Sequence, residues 1–194
     1  MIAKILGAGF ITISLIAAFG CTRAPEAKTA SAAAPNATTL SEVIFTSTPG
    51  ELAELLKPKG KPLVINHWAT WCGPCVDELP YFAEMATKYA GRVEFIGVAW
   101  DNFDPETSDP VKAKNRVLEG VNGVRAKTGA TFHTIIAPFD ISDTAQKLQL
   151  LGESVPQTYV ISKNGTRAWT FKGEIVEDSD KDAFTKAIED ALKE

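Results

Sequence analysis

The chain has 194 residues, 45% of them hydrophobic and 23% charged, an ordinary globular composition with room for one domain rather than two full ones. A formal net charge of −4 argues against nucleic acid as a partner, because phosphate binding rests on a basic surface. Three cysteines are too few for a disulfide scaffold, and a chain that can bury roughly two-thirds of its unfolded surface needs none.

Residues 1–20 carry one cation, Lys4, and then sixteen uncharged, mostly apolar residues, Ile5 to Gly20. At ~1.5 Å per residue this run spans about 24 Å, short of a ~30 Å hydrocarbon core. A basic start, an apolar middle and small residues before a boundary describe an export signal. Cys21 stands at that boundary, after Ala18-Phe19-Gly20, in an arrangement that resembles the lipobox of bacterial lipoproteins. The resemblance implies lipidation of Cys21 as the mature N-terminus, although that family usually has Leu in place of Ala18 and a small residue in place of Phe19. An uncleaved anchor and an ordinary cleaved signal are the alternatives. Each of them places the rest of the chain outside the cytoplasm. Residues 22–41 are rich in Ala, Thr, Ser and Pro and have no long apolar side chain before Leu40. Such a stretch cannot offset the entropy of ordering, so residues 21–41 read as a flexible tether for a domain spanning 42–194.

Within 42–194 the patterning alternates. Leu52, Leu55 and Leu56 predict a short helix over Glu51–Lys57, ended by Pro58. The nearly continuous apolar run Pro62–Trp68 predicts a central strand covered on both faces. Gly73–Tyr89 carries a helical stripe, and Val93–Trp100 predicts a second buried strand. A helix over Asp109–Thr128, weakened by Gly120 and Gly123, precedes a strand over Phe132–Ala137 and a short helix over Asp143–Leu150. Asn164-Gly165 between Gln157–Ser162 and Arg167–Phe171 predicts a hairpin. A closing helix starts at a possible capping box near Ser179–Asp182. The order predicts a mixed central sheet flanked by helices on both faces, an α/β fold.

The chemistry is concentrated at Trp71-Cys72-Gly73-Pro74-Cys75, where strand passes into helix. Cys72 falls at a helix N-terminus, where unpaired N–H groups and the dipole favour a thiolate and lower its pKa. Cys75, three residues on, lies on the same side of the first turn, within disulfide reach. Pro74 is tolerated there because the first turn has no partner for its missing N–H. A permanent disulfide is a poor alternative, since so small a loop gains little stability. Half a zinc site is another, but His67 and His133 lack partner spacing.

Val64-Ile65-Asn66-His67-Trp68-Ala69-Thr70-Trp71-Cys72-Gly73-Pro74-Cys75, with Glu78 and Pro80 following, resembles the thioredoxin superfamily and is most similar to the extracytoplasmic TlpA/ResA-like thiol–disulfide oxidoreductases. A second motif, Ser154-Val155-Pro156-Gln157-Thr158-Tyr159, stands where that superfamily has its cis-proline. The resemblance implies a thioredoxin-like fold with an inserted helix, a cis Val155–Pro156 peptide facing the cysteines, and no cofactor or metal. It implies that Cys72 is the nucleophile and Cys75 the resolving thiol, while Trp71, Gly73, Pro74, Val155 and Pro156 shape the site. Glu78 takes the place of the family's acidic residue, the proton acceptor for Cys75, because Asn66 stands where cytoplasmic thioredoxins have an Asp. A solvated helix face is the bland alternative for Glu78.

The implied activity is that of an exported, membrane-tethered reductase acting on protein disulfides. Implied partners are a membrane thiol donor of the DsbD or CcdA kind and substrates such as apocytochromes c. Kept open beside it are an oxidase or isomerase using the same pair, and a copper-binding module recruiting a histidine. His67 stands where the family usually has Phe; it reads as a satisfied core residue, with the alternative that it titrates near the thiols.

Overall fold

The computed structural model describes residues 42–103 and 108–194; the export signal, Cys21 and the tether lie outside them. In chain order the elements are β1 Val43–Phe45, α1 Pro49–Leu55, β2 Leu63–Trp68, α2 Gly73–Lys88, β3 Glu94–Ala99, α3 Pro110–Thr128, β4 His133–Ile136, α4 Ser142–Ala145, β5 Gln157–Ile161, β6 Arg167–Lys172 and α5 Asp178–Ala191. One six-stranded sheet runs β1-β4-β3-β2-β5-β6. The β1–β4, β4–β3 and β3–β2 pairs are parallel, whereas β2–β5 and β5–β6 are antiparallel. Among the described residues no helix is long and apolar enough to cross a membrane.

All six residues of β2 are buried, as its nearly continuous apolar pattern predicts for a strand covered on both faces. Alternation along β2 sends Asn66 towards α2, where its Nδ2 donates to Glu78. Ile65 and His67 point the other way, towards Ala53 of α1 and the stretch after α4. On the α2 side, Phe82 meets Phe184 of α5 at 5.3 Å between ring centroids, and the Tyr89 hydroxyl donates to Glu189 at 2.7 Å.

The helix starts follow from their caps. Thr48 Oγ1 accepts from Glu51 N at 3.1 Å, the Glu51 carboxylate accepts from Ser47 N, and Pro49 occupies the first turn, so α1 starts two residues before Glu51. Asp109 caps α3 through Lys112 N. The patterning does not predict the edge strand β1, which is too short to carry a periodic signal. Two expectations are corrected. The expected helix over Asp143–Leu150 stops at Ala145, because Gln149 takes a positive φ of 53° and Leu150 N turns back to Ala145 O. At α5 no side chain caps the N-terminus, which begins one residue before Ser179.

In the hairpin, Gly165 sits at φ 90° and donates its N–H to Ser162 O, a conformation that suits Asn-Gly. Gly97 in β3 has a different constraint. A Cβ there would come within 2.9 Å of both Phe132 and the Trp68 indole, which pack across the bare backbone. Trp68 is fully buried and cannot swing away. Gly97→Ala should therefore destabilise the fold by about 1–3 kcal/mol through overpacking. Urea unfolding at unchanged m-value checks this, and an unaltered midpoint would count against it.

Candidate active site

The site is built where β2 ends, because the same short connection carries both the strand's last residue and the helix's first turn. Trp100 N donates to Trp68 O and extends the β2–β3 ladder by one bond. Asp101, directly after Trp100, then takes the next turn of the β2–α2 connection. Its carboxylate accepts from Thr70 N at 3.2 and 3.1 Å and from the Thr70 hydroxyl. Trp71 Nε1 donates to Trp100 O at 3.3 Å, and Cys72 N donates to Ala69 O. The loop delivering Cys72 is thus pinned from β3 as well as from β2.

Cys72 is the N-cap of α2, and its Sγ accepts from Cys75 N at 3.3 Å. That bond and the start of the helix dipole favour negative charge on this sulfur. Cys72 and Cys75 are joined in a disulfide with Cα atoms 5.3 Å apart. Cys75 is fully buried while Cys72 keeps 8% of its surface, so only Cys72 meets an incoming partner. Gly73 and Pro74 form the first turn of the helix between them. Trp71 is 68% exposed beside them, the large apolar side chain that marks the rim.

Glu78 lies three residues beyond Cys75, on the buried side of α2 rather than on a solvated face. Its Oε1 accepts from Asn66 Nδ2 at 2.8 Å, and its Oε2 accepts from Ile175 N at 2.9 Å. Asn66 Nδ2 also donates to Thr158 Oγ1 on β5. Burial pushes the Glu78 carboxyl up to about 7, against the pull of the Ile175 and Asn66 bonds and with a smaller push from Glu174. It is a buried acid poised near neutrality.

The Val155–Pro156 peptide is cis. Gln157, the first residue of β5, pairs with His67, so Pro156 falls level with Trp68 at the end of β2 that leads to Cys72. The Gln157 side chain holds the preceding loop by donating to Gly152 O and Ser154 O and accepting from Leu151 N. His67 does not join the thiols. It lies on the opposite sheet face, its Nδ1 accepts from Trp100 Nε1 at 3.0 Å, and burial, with a contribution from Arg167, holds its pKa down to about 3. It stays neutral through the physiological range. The Ile175 backbone escaped sequence reasoning, because its partner is 97 residues away. Asp101, which from sequence reads equally as site rim and as loop polarity, is placed at the rim by its bonds to Thr70, 31 residues away.

Comparison with known proteins agrees with this arrangement. The family model described as Redoxin matches residues 28–188. The thiol-disulfide oxidoreductase ResA of Bacillus thuringiensis subsp. konkukian is 29% identical over 133 residues, 68% of this chain; the match spans 66% of the relative's length, just under two thirds. ResA of Geobacillus kaustophilus is 28% identical over 156 residues, 80% of this chain and 79% of the relative. A Chlorobium tepidum structure described as a thiol:disulfide interchange protein of the DsbE type superposes with a TM-score of 0.53 at 23% identity. It covers 71% of this chain and 91% of its own, a likeness that shows the shared thioredoxin-like fold.

The buried carboxyl makes a prediction about stability. The Glu78 pKa is raised from 4.5 to about 7 on folding, so the folded state keeps a proton that the unfolded chain loses. Its cost is absent below pH ~4.5, grows as pH rises and is complete above pH ~7, reaching up to about 3 kcal/mol. Urea unfolding of the disulfide form should show wild type losing stability relative to Glu78→Gln across that window. Parallel pH profiles would contradict it.

Proposed function

The chain belongs to the Redoxin family, within the thioredoxin superfamily and similar to ResA, and on that premise we propose that it is a thiol–disulfide oxidoreductase that reduces disulfides in exported proteins. The observation that carries this reading is the Cys72–Cys75 pair at the start of α2, with a buried carboxyl one helical turn further on.

In the reduced protein the Cys72 thiolate attacks one sulfur of the substrate disulfide. The substrate S–S bond breaks, one substrate thiol leaves, and a mixed disulfide to Cys72 forms. Glu78 accepts the proton of Cys75, whose sulfur attacks Cys72 Sγ and expels the second substrate thiol. Two electrons have passed to the substrate, and the protein is left with the Cys72–Cys75 disulfide. A carboxyl with a pKa near 7 suits the task, because about half of it is ionised at neutral pH and that half is basic enough to take a thiol proton. Trp71, Gly73, Pro74, Val155 and Pro156 shape the surface on which the substrate strand docks.

The export signal, the lipobox-like Cys21 and the tether support an extracytoplasmic, membrane-anchored placement of this domain. Outside the cytoplasm disulfides form readily, so a dedicated reductant needs electrons from a membrane thiol carrier of the DsbD or CcdA kind. Apocytochromes c fit as substrates because they must present reduced cysteines.

Trapping tests the whole reading. Cys75→Ala should accumulate a mixed disulfide with a disulfide substrate, and Cys72→Ser should abolish both trapping and turnover. Glu78→Gln should slow resolution about 10-fold or more near pH 7, with the first attack little changed. A reduction potential near the ~−120 mV of strong oxidants, rather than the ~−270 mV of reducing thioredoxins, would reverse the direction of electron flow.

A further inference from the structure

On the sheet face opposite Cys72 and Glu78 the structure holds a pocket of about 180 Å³. Leu56, Ile65 and Leu150 supply apolar walls, and Tyr159 adds an aromatic one. The polar lining is one-sided in charge. His67 is buried at the pocket, while Arg167 and Lys147 stand exposed at its edge, and no acidic side chain lines it. Arg167 is held in place: its Nη1 donates to Gln149 O at 2.7 Å, its Nη2 to Leu148 O, and its guanidinium lies 4.6 Å from the Tyr159 ring centroid.

The tautomer of His67 follows from its partner. Trp100 Nε1 can only donate, so Nδ1 carries the lone pair and the neutral ring holds its proton on Nε2. Among the described residues no side chain or carbonyl bonds that N–H, and it is not sealed from solvent, so it meets the pocket that His67 lines as an open donor. An acceptor that displaces solvent from such a donor gains a hydrogen bond inside a largely apolar wall. An apolar chamber with an open donor in its wall, a fixed cation near that donor and no acidic lining asks for an apolar body ending in an anion.

We propose that this pocket binds a small apolar monocarboxylate, with its hydrocarbon body between Leu56, Ile65 and Leu150 and its carboxylate on the His67–Arg167 side. The size fits, because a cavity of about 150 Å³ suffices for benzene. A ring with one carboxylate at the open, cationic edge is the matching class. The site is separate from the dithiol, and the proposal does not depend on the redox reading.

The test titrates the full chain, in its disulfide form, with sodium benzoate at constant ionic strength. Nitrogen–proton NMR follows the Trp100 indole N–H, which reports on His67 through their hydrogen bond, together with the amides of Ile65, Leu150 and Tyr159. Saturable one-to-one shifts with a millimolar or tighter dissociation constant are expected. Neutral benzyl alcohol should bind at least about tenfold more weakly, as should benzoate to His67→Phe and Arg167→Gln. The benzyl alcohol comparison needs no variant, so it decides the matter even if a substitution disturbs folding. Absence of saturable shifts up to the solubility limit would overturn the proposal. So would equal affinity for benzyl alcohol, which would make the pocket a merely apolar cavity.

Discussion

A carboxyl group buried between two N–H donors is the constraint around which this domain is organised. Glu78 reaches Asn66 on β2 and Ile175 N ahead of α5, so a single side chain ties the active-site helix to the central strand and to the C-terminal segment. The energetic terms oppose each other. Burial raises the carboxyl's pKa, whereas the two donors favour its ionised form and lower it. Their balance puts it at about 7, where it can exchange a proton with a thiol. Asn66 matters here through its Nδ2 donor: an Asp at that position would set a second carboxylate against the first, 2.8 Å away.

The nucleophile is positioned by a second, independent set of contacts. Trp100 and Asp101 at the end of β3 hold Thr70 and Trp71, so the turn before Cys72 inherits the rigidity of the parallel β2–β3 pair. Gly97 keeps that pair intact by leaving room for Trp68 and Phe132 over the sheet. Trp100 is also the link between the two faces. Its carbonyl accepts from Trp71 at the active-site rim, and its indole donates to His67 on the far side. A polar ring in a buried strand is thereby partly satisfied, and it remains neutral rather than becoming a second titrating group beside the thiols.

The legible parts of the sequence were those whose signal is local. Trp71–Cys75 marks a strand-to-helix junction and Asn164-Gly165 marks a hairpin within a few residues each, whereas the cis peptide in Ser154–Tyr159 was legible only through the family resemblance. Glu78 was legible as a candidate by its spacing from Cys75, but its burial depends on Ile175, 97 residues away. Asp101 reads equally as site rim and as loop polarity, because nothing nearby reveals that Thr70 needs an acceptor. The stretch after Ala145 has helical composition, yet Arg167 from β6 claims the carbonyls of Leu148 and Gln149, and the chain turns instead. Edge strand β1 gains its identity only by pairing with β4, and three residues are too few for periodicity to register.

The central claim is that the carboxyl beside the dithiol titrates near neutrality because of where it is buried. Carbon-13 NMR of the Glu78 side-chain carboxyl, followed from pH 4 to pH 9 in the intact disulfide form, measures this most directly. The account predicts a midpoint near 7. A midpoint near the ordinary value of 4.5 would contradict it and remove the ground for proposing Glu78 as the proton acceptor of Cys75.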